Sequence, residues 1–167
     1  MIYILTPIIF TILVLFLSRF SHFFNLIDKP DKRKLHKGTI PLVGGIAIYL
    51  TILIFSFYLS NPYFINIIFY SSFLVLLFGI IDDARDLQVS IRLIGHFFST
   101  LLILGNGLSI IDVGDYYIFD PIHLGSFGLL LTFLCVIGLT NAMNFIDGLD
   151  GLCVGLVFIA IIYIIIF

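Results

Sequence analysis

The sequence predicts an all-α integral membrane protein, a polytopic bundle of about five to six transmembrane helices. Hydrophobic residues make up 61% of the 167 residues and charged residues only 11%, whereas a soluble domain is about half apolar and roughly a quarter charged. The apolar residues form continuous runs of roughly 16–20 residues, which favours membrane-spanning helices over the alternating segments of a β-barrel. We therefore expect a single membrane domain over residues 1–167.

Six apolar runs follow one another along the chain, and each is expected to form one span. A tight turn at Asn61-Pro62 separates the second run from the third. The more polar stretch Ser109–His123, between the fourth and fifth runs, is a loop that could contain a short hairpin. The predicted spans are Ile2–Leu17, Ile40–Leu59, Ile65–Ile81, Ile91–Leu108, Leu124–Leu139 and Leu152–Phe167.

The placement of basic residues predicts the orientation. All eight Lys and Arg residues lie in the loops that follow the first, third and fifth spans, counting Arg92 at the start of span four. Cytoplasmic loops carry the excess of Lys and Arg. We therefore expect the N-terminus outside, with the basic first loop, the loop at Asp82 and the motif at Asp147 all on the cytoplasmic side.

The third span ends on a cluster of aspartates, Asp82-Asp83-Ala-Arg-Asp86. If the helix continues, Asp82 and Asp86 lie four residues apart on one face. Neighbouring carboxylates repel unless a cation lies between them, and oxygen ligands suit Mg²⁺, which also binds phosphate oxygens. The alternative interpretation is a solvated helix end.

A second polar motif runs from Asn141 to Gly151 between two apolar runs. It contains two amides and two carboxylates, Asn141, Asn144, Asp147 and Asp150. A helix cap would need only one Asn and one Gly, and unpaired polar groups near lipid are costly. We expect the helix to end near Gly148 and these groups to gather around a ligand or metal.

Cationic and histidine side chains could supply positive charge opposite these acids. The basic loop contains Lys34, His36 and Lys37, which fit a phosphate substrate or, as a topology signal, anionic lipid head groups. Arg92 either binds phosphate or extends to the membrane surface. His96, four residues later, is predicted to be a hydrogen-bonded intramembrane histidine.

Together these features predict a membrane enzyme that acts on a phosphate at the cytoplasmic face. One alternative is an intramembrane prenyltransferase that binds Mg²⁺-diphosphate through its D-D-x-x-D motif, but it would need a second Asp-rich motif without Asn and Gly. Another is a non-catalytic transporter, which would place acids in mid-span. All ten aspartates lie at span ends or in loops.

Three segments, Leu26–Gly45, Gly79–Asp86 and Asn141–Gly151, resemble in order and spacing the polyprenyl-phosphate N-acetylhexosamine-1-phosphate transferases of glycosyltransferase family 4. The undecaprenyl-phosphate GlcNAc-1-phosphate transferase branch is the most similar. The phospho-MurNAc-pentapeptide transferase branch is related but usually differs in the first loop.

The resemblance implies that undecaprenyl phosphate attacks the β-phosphorus of a UDP-N-acetylhexosamine and that UMP leaves. It implies Mg²⁺, or Mn²⁺ in its place. A phosphate monoester is already largely a dianion at pH 7, with a second pKa of about 6, so we expect positioning to matter more than deprotonation by Asp82. The implied residues are Asp82, Asp83 and Asp147 for catalysis, Asp83, Asp147 and Asp150 for the metal, and Asp86, Asn141, Asn144, Asp150, Lys34, His36, Lys37 and Arg92 for substrate.

The resemblance also implies a setting. We expect a multi-pass protein of the bacterial inner membrane that contacts the lipid bilayer and serves cell-wall or O-antigen polysaccharide synthesis. It has no nucleic-acid partner, and a homodimer is left open. Family members have about ten or eleven spans, so this chain is expected to be an N-terminal half that does not turn over alone.

Overall fold

The computed structural model describes residues 2–28, 38–57, 62–85, 87–114, 120–146 and 152–166. In these residues the fold is helical, with two short antiparallel ladders. The helices are α1 (Ile2–Ser18), α2 (Gly44–Ser56), α3 (Tyr63–Arg85), α4 (Val89–Gly105), α5 (Phe127–Ile146) and α6 (Leu152–Ile166), and the strands are β1 (Ile27–Asp28), β2 (Ile40–Pro41), β3 (Asp112–Val113) and β4 (Ile122–His123). The chain divides into two compact units, Met1–Leu108 and Ser109–Phe167.

In the first unit, α1 packs against α2, and the segment between them returns through the β1–β2 ladder. The N–H of Leu42 donates to the carbonyl oxygen of Leu26 at 3.0 Å and extends this ladder. The side chains of Leu26 and Val43 are buried beside it. Because the ladder uses residues 40 and 41, α2 begins at Gly44 and not at Ile40, where the apolar run begins.

Helices α3 and α4 form the most extensive helix pair of the first unit. In the middle of the pair, the Ser99 hydroxyl donates to the carbonyl oxygen of Ser71 at 2.9 Å. Near the start of α3, the Tyr63 hydroxyl donates to Oδ1 of Asn106 at 2.9 Å. Hydrogen bonds between helices stabilise packing where lipid supplies no hydrophobic driving force.

A glycine allows α3 and α4 to approach closely. A Cβ atom added to Gly95 in α4 would overlap the Phe78 side chain of α3. Small residues at helix contacts have this role in membrane bundles. The α3–α4 contact therefore depends on the absence of a side chain at this position.

The second unit begins with the β3–β4 hairpin, which confirms the hairpin considered for Ser109–His123. A hydrogen bond between the side chains of His123 and Asp112 joins its strands. The hydroxyl of Thr132 accepts from the N–H of Ile110 at 2.8 Å and donates to the carbonyl oxygen of Gly128 at 2.7 Å. The first of these bonds attaches Ile110, just before β3, to α5, and the second lies within α5.

Two helices, α3 and α5, are long and apolar enough to cross a bilayer, and the other four described helices are shorter apolar helices. A helix rises 1.5 Å per residue, so about 20 residues span the hydrocarbon core. Most side chains of α3 and α5 are not buried in the protein, unlike those of a core helix in a soluble protein. This exposure is consistent with a membrane protein.

Both long helices extend beyond the predicted spans. Helix α3 continues past Ile81 to Arg85, and α5 continues past Leu139 to Ile146. Hydropathy detects only the apolar part of a helix, whereas backbone hydrogen bonding continues into the polar residues that follow. As a result, Asp82, Asp83 and Asn141 are helical residues, and a helical Asn141 agrees with the expectation that this helix extends towards Gly148.

We predict that Gly95→Ala destabilises the protein, because its methyl group would displace the Phe78 ring at a cost of about 1–3 kcal/mol. The measurement is thermal unfolding in detergent. Gly79→Ala is the matched control, since a Cβ there meets no atom within 4 Å and alanine favours a helix by about 1 kcal/mol over glycine. Equal unfolding midpoints for the two variants would contradict the predicted contact.

Candidate active site

The candidate site lies at the C-terminal end of α3, where Asp82 and Asp83 occupy the last turn. The C-terminal end of a helix carries a partial negative charge, so a carboxylate there is unfavourable without compensation. Arg92 in the first turn of α4 supplies that compensation. The short connection between the two helices brings these opposite charges together.

The ion pair between Asp82 and Arg92 is well defined. Nη2 of Arg92 lies 2.8 Å from Oδ2 and 3.0 Å from Oδ1 of Asp82. The backbone N–H of Leu87 donates to the same Oδ1 at 3.0 Å. The two side chains are only 18% and 13% exposed, so water screens the pair less than it would at an open surface.

The two adjacent aspartates have different environments. Asp82 is directed towards α4 and bound by Arg92, whereas Asp83 is exposed. Successive residues of a helix point about 100° apart, so the two carboxylates cannot both face α4. The sequence motif treats them as equivalent, whereas in the structure Asp82 is the less exposed of the two and pairs with Arg92.

The first loop is attached to the same end of α3. The Asn25 side chain donates from Nδ2 to the carbonyl oxygen of Ala84 at 2.9 Å, and β1 contacts α3. Asn25 has a φ of 57°, a left-handed conformation that asparagine tolerates better than most residues. Strand β1, the last described segment before residues 29–37, therefore lies next to α3. Lys34, His36 and Lys37 themselves lie outside the described residues.

The Asn motif belongs to the second unit. Asn141 and Asn144 lie in the last turns of α5. Oδ1 of Asn141 is buried and has no hydrogen-bond partner among the described atoms, whereas Asn144 is exposed. Asp147 and Asp150 lie outside the described residues, as does Asp86. The expected helix end near Gly148 and the convergence of Asp82 with Asp147 therefore stay predictions.

The described residues contain no group of three His, Cys, Asp or Glu side chains that could hold a metal ion. Of the predicted ligands Asp83, Asp147 and Asp150, only Asp83 is described. The predicted metal site therefore stays a prediction.

His96 was predicted to be a hydrogen-bonded intramembrane histidine. It is buried, with 6% exposure, but neither ring nitrogen has a hydrogen-bond partner among the described atoms.

Asn25 was missed as a site residue. An asparagine just before the Leu-Ile-Asp of the first motif was a signal for a left-handed residue, but its partner Ala84 is 59 positions away.

The sequence model of glycosyl transferase family 4 matches residues 64–167. The chain belongs to this family. Undecaprenyl-phosphate alpha-N-acetylglucosaminyl 1-phosphate transferase of Escherichia coli K12 is 39% identical over 154 residues, which are 89% of this chain and 41% of that protein. The Yersinia pestis protein of the same name is 36% identical over 143 residues, 79% of this chain and 37% of that protein.

A Bacillus subtilis protein, named as a probable undecaprenyl-phosphate N-acetylglucosaminyl 1-phosphate transferase, is 29% identical over 154 residues, 91% of this chain and 42% of that protein. The chain thus spans about two-fifths of the length of these relatives. No solved structure matches the chain significantly. These findings confirm the family resemblance of the three motifs.

We predict that Asn25→Ala destabilises the protein more than Asn25→Gly. Both changes remove the hydrogen bond to Ala84, but alanine also has to adopt the left-handed φ, at an added cost of roughly 1–2 kcal/mol. Thermal unfolding of both variants in detergent is the measurement. If alanine is tolerated as well as glycine, the left-handed conformation at residue 25 is wrong.

Proposed function

We propose that the protein containing this chain transfers N-acetylglucosamine 1-phosphate from UDP-N-acetylglucosamine to undecaprenyl phosphate. The observation that carries the proposal is the identity of 39% over 89% of this chain with a relative named for this transfer. An oxygen of the lipid phosphate attacks the β-phosphorus of the sugar nucleotide. The bond from that phosphorus to the bridging oxygen breaks, and UMP leaves with the oxygen.

In this proposal the Asp82 carboxylate positions the end of α3 relative to the start of α4. Its Oδ1 accepts from Arg92 and from the N–H of Leu87, and its Oδ2 lies 2.8 Å from Nη2 of Arg92. A carboxylate held by three contacts to donors is suited to fixing the end of α3 and the start of α4. Since the lipid phosphate is largely ionised at pH 7, the reaction needs orientation and charge neutralisation more than a base.

Arg92 acts chiefly through Asp82. Its guanidinium is held by the carboxylate, so its charge is largely balanced within the protein. We assign phosphate binding to Lys34, His36 and Lys37 in the first loop, whose flanking strands meet near α3. We also assign Asp86, the residue after Arg85 in the sequence, to substrate binding.

The exposed Asp83 carboxylate fits a hard cation, since oxygen ligands at a solvent-facing position suit Mg²⁺ and, less selectively, Mn²⁺. In this proposal Asp83, Asp147 and Asp150 would hold the ion, and Asp82 stays paired with Arg92. When bound, the ion neutralises charge on the diphosphate oxygens. Asp83 contributes to binding and orientation of the diphosphate, and Asp147 to catalysis.

Asn141 and Asn144 are assigned to the sugar nucleotide. The buried Oδ1 of Asn141 lacks a donor among the described atoms, and an unpaired buried acceptor costs about 1–3 kcal/mol. A hydroxyl or N–H of the UDP-sugar could supply that donor. Asn144, one turn earlier than Asp147 along the motif, is exposed and accessible to the ligand.

The proposed location is the bacterial inner membrane, with the site on the cytoplasmic side. The concentration of Lys and Arg in the loops that follow the first, third and fifth predicted spans supports this orientation. In this proposal the chain has five to six spans and its N-terminus lies outside. The lipid bilayer then presents the undecaprenyl phosphate head group at the level of the site. The product would serve cell-wall or O-antigen synthesis. Family membership disfavours the prenyltransferase and transporter alternatives.

We predict that Asp82→Asn and Asp147→Asn in the full-length gene product each abolish exchange of labelled UMP into UDP-N-acetylglucosamine. The change removes one negative charge while keeping the side-chain shape. Asp120→Asn is the matched control, because this exposed aspartate lies in the loop predicted on the opposite side. A near-full exchange rate in either of the first two variants would remove that residue from the proposed chemistry.

A further inference from the structure

Helix α4 contains two neighbouring side chains whose buried nitrogens have no partner among the residues that the structure describes. Among the described atoms, Nε of Arg92 and both ring nitrogens of His96 have no hydrogen-bond partner. His96 is almost fully buried, with 6% exposure. An unsatisfied buried polar group costs about 1–3 kcal/mol of folding free energy. We therefore expect these nitrogens to have hydrogen-bond partners in the membrane-embedded protein.

The two residues have complementary hydrogen-bonding groups. They are four residues apart in α4, so their side chains lie on one face, one turn apart. Arginine Nε–H can only donate, whereas a neutral imidazole has one acceptor nitrogen and one donor nitrogen. A single water can accept from Arg92 and donate to His96, which satisfies one unpaired group on each residue.

The nearby hydroxyls of α4 do not donate to His96. The hydroxyl hydrogens of Ser99 and Thr100 are already donated to the carbonyl oxygens of Ser71 and His96. Gly95, adjacent to His96, is in close contact with Phe78. Arg92 is therefore the polar side chain of α4 best placed to complete a hydrogen-bonded connection with the imidazole.

We propose that His96 is a positioning residue for the Asp82–Arg92 pair. It holds Arg92 by its Nε edge through a bridging water, while Nη2 of the same guanidinium holds both oxygens of Asp82. With both edges engaged, the guanidinium plane cannot rotate, and the last turn of α3 is fixed against the first turn of α4. The role deepens the proposed function, since its importance for turnover rests on the assigned role of Asp82.

Kinetics of the full-length gene product in nanodiscs provide the first test. His96→Leu removes both ring nitrogens at similar volume and should lower kcat by about 10–100-fold, as loss of outer supporting groups does in metal sites, with little change in KM for the UDP-sugar. His96→Gln keeps an acceptor and a donor and should recover most of the rate. An unchanged kcat in His96→Leu would overturn the proposal.

Nitrogen NMR of protein labelled with ¹⁵N-histidine provides a test that does not depend on turnover. The chain has four histidines, and the His96 signals are those lost in His96→Gln. Arg92→Lys removes the Nε donor and should shift these signals, while the signals of His123, paired with Asp112, stay in place. No shift at His96 would overturn the proposal even if His96→Leu is slow.

The two measurements separate this inference from the proposed function. If Arg92→Lys shifts the His96 signals but Asp82→Asn retains full exchange, the connection exists and the assigned role of Asp82 fails. If Asp82→Asn abolishes exchange and the His96 signals do not respond to Arg92, the function stands and the positioning role is wrong.

Discussion

The ion pair between Asp82 and Arg92 is the interaction on which the described site depends. It places a positive charge at the C-terminal end of α3, where the helix dipole and the adjacent aspartates would otherwise repel one another. It also determines which way the carboxylate of Asp82 faces, and so leaves Asp83 exposed. The turn from α3 to α4 is fixed by the same carboxylate, through the N–H of Leu87. This charge pair therefore fixes the connection between α3 and α4 and gives Asp82 and Asp83 different environments.

The rest of the first unit supports this arrangement with few polar contacts. Ser99 and Ser71 join the helices at mid-length, and Gly95 allows the close approach that the contact requires. Asn25 attaches the first loop to the end of α3. In a chain whose apolar side chains are largely exposed, such contacts supply the specificity that a hydrophobic core supplies in a soluble protein.

Much of this fold was predictable from the sequence, because long apolar runs leave few structures other than helices. The positions of α1, α4 and α6 agree closely with the predicted spans. The ends of α3 and α5 were not predictable in this way, since hydropathy falls at Asp82 and Asn141 while the helices continue. Motif recognition identified the family, which the comparisons confirm.

The finer organisation of the site depended on contacts between distant residues. The sequence could not distinguish Asp82 from Asp83, because only the packing of α4 decides which of them Arg92 can reach. Neither ring nitrogen of His96 has a partner among the described atoms, so its hydrogen bonding stays a prediction, since a sequence indicates burial of a histidine but not which partners it has. The Asn25–Ala84 bond joins residues too far apart for any local pattern to indicate it.

A double-mutant cycle on the full-length protein in detergent tests the central interaction most directly. Asp82→Ala, Arg92→Ala and the double variant are compared by their free energies of unfolding. An ion pair with this geometry and low exposure should give a coupling energy of about 1–3 kcal/mol, with the double variant less destabilised than the sum of the singles. Strictly additive effects would show that the two charges do not interact and would contradict the organisation of the site around them.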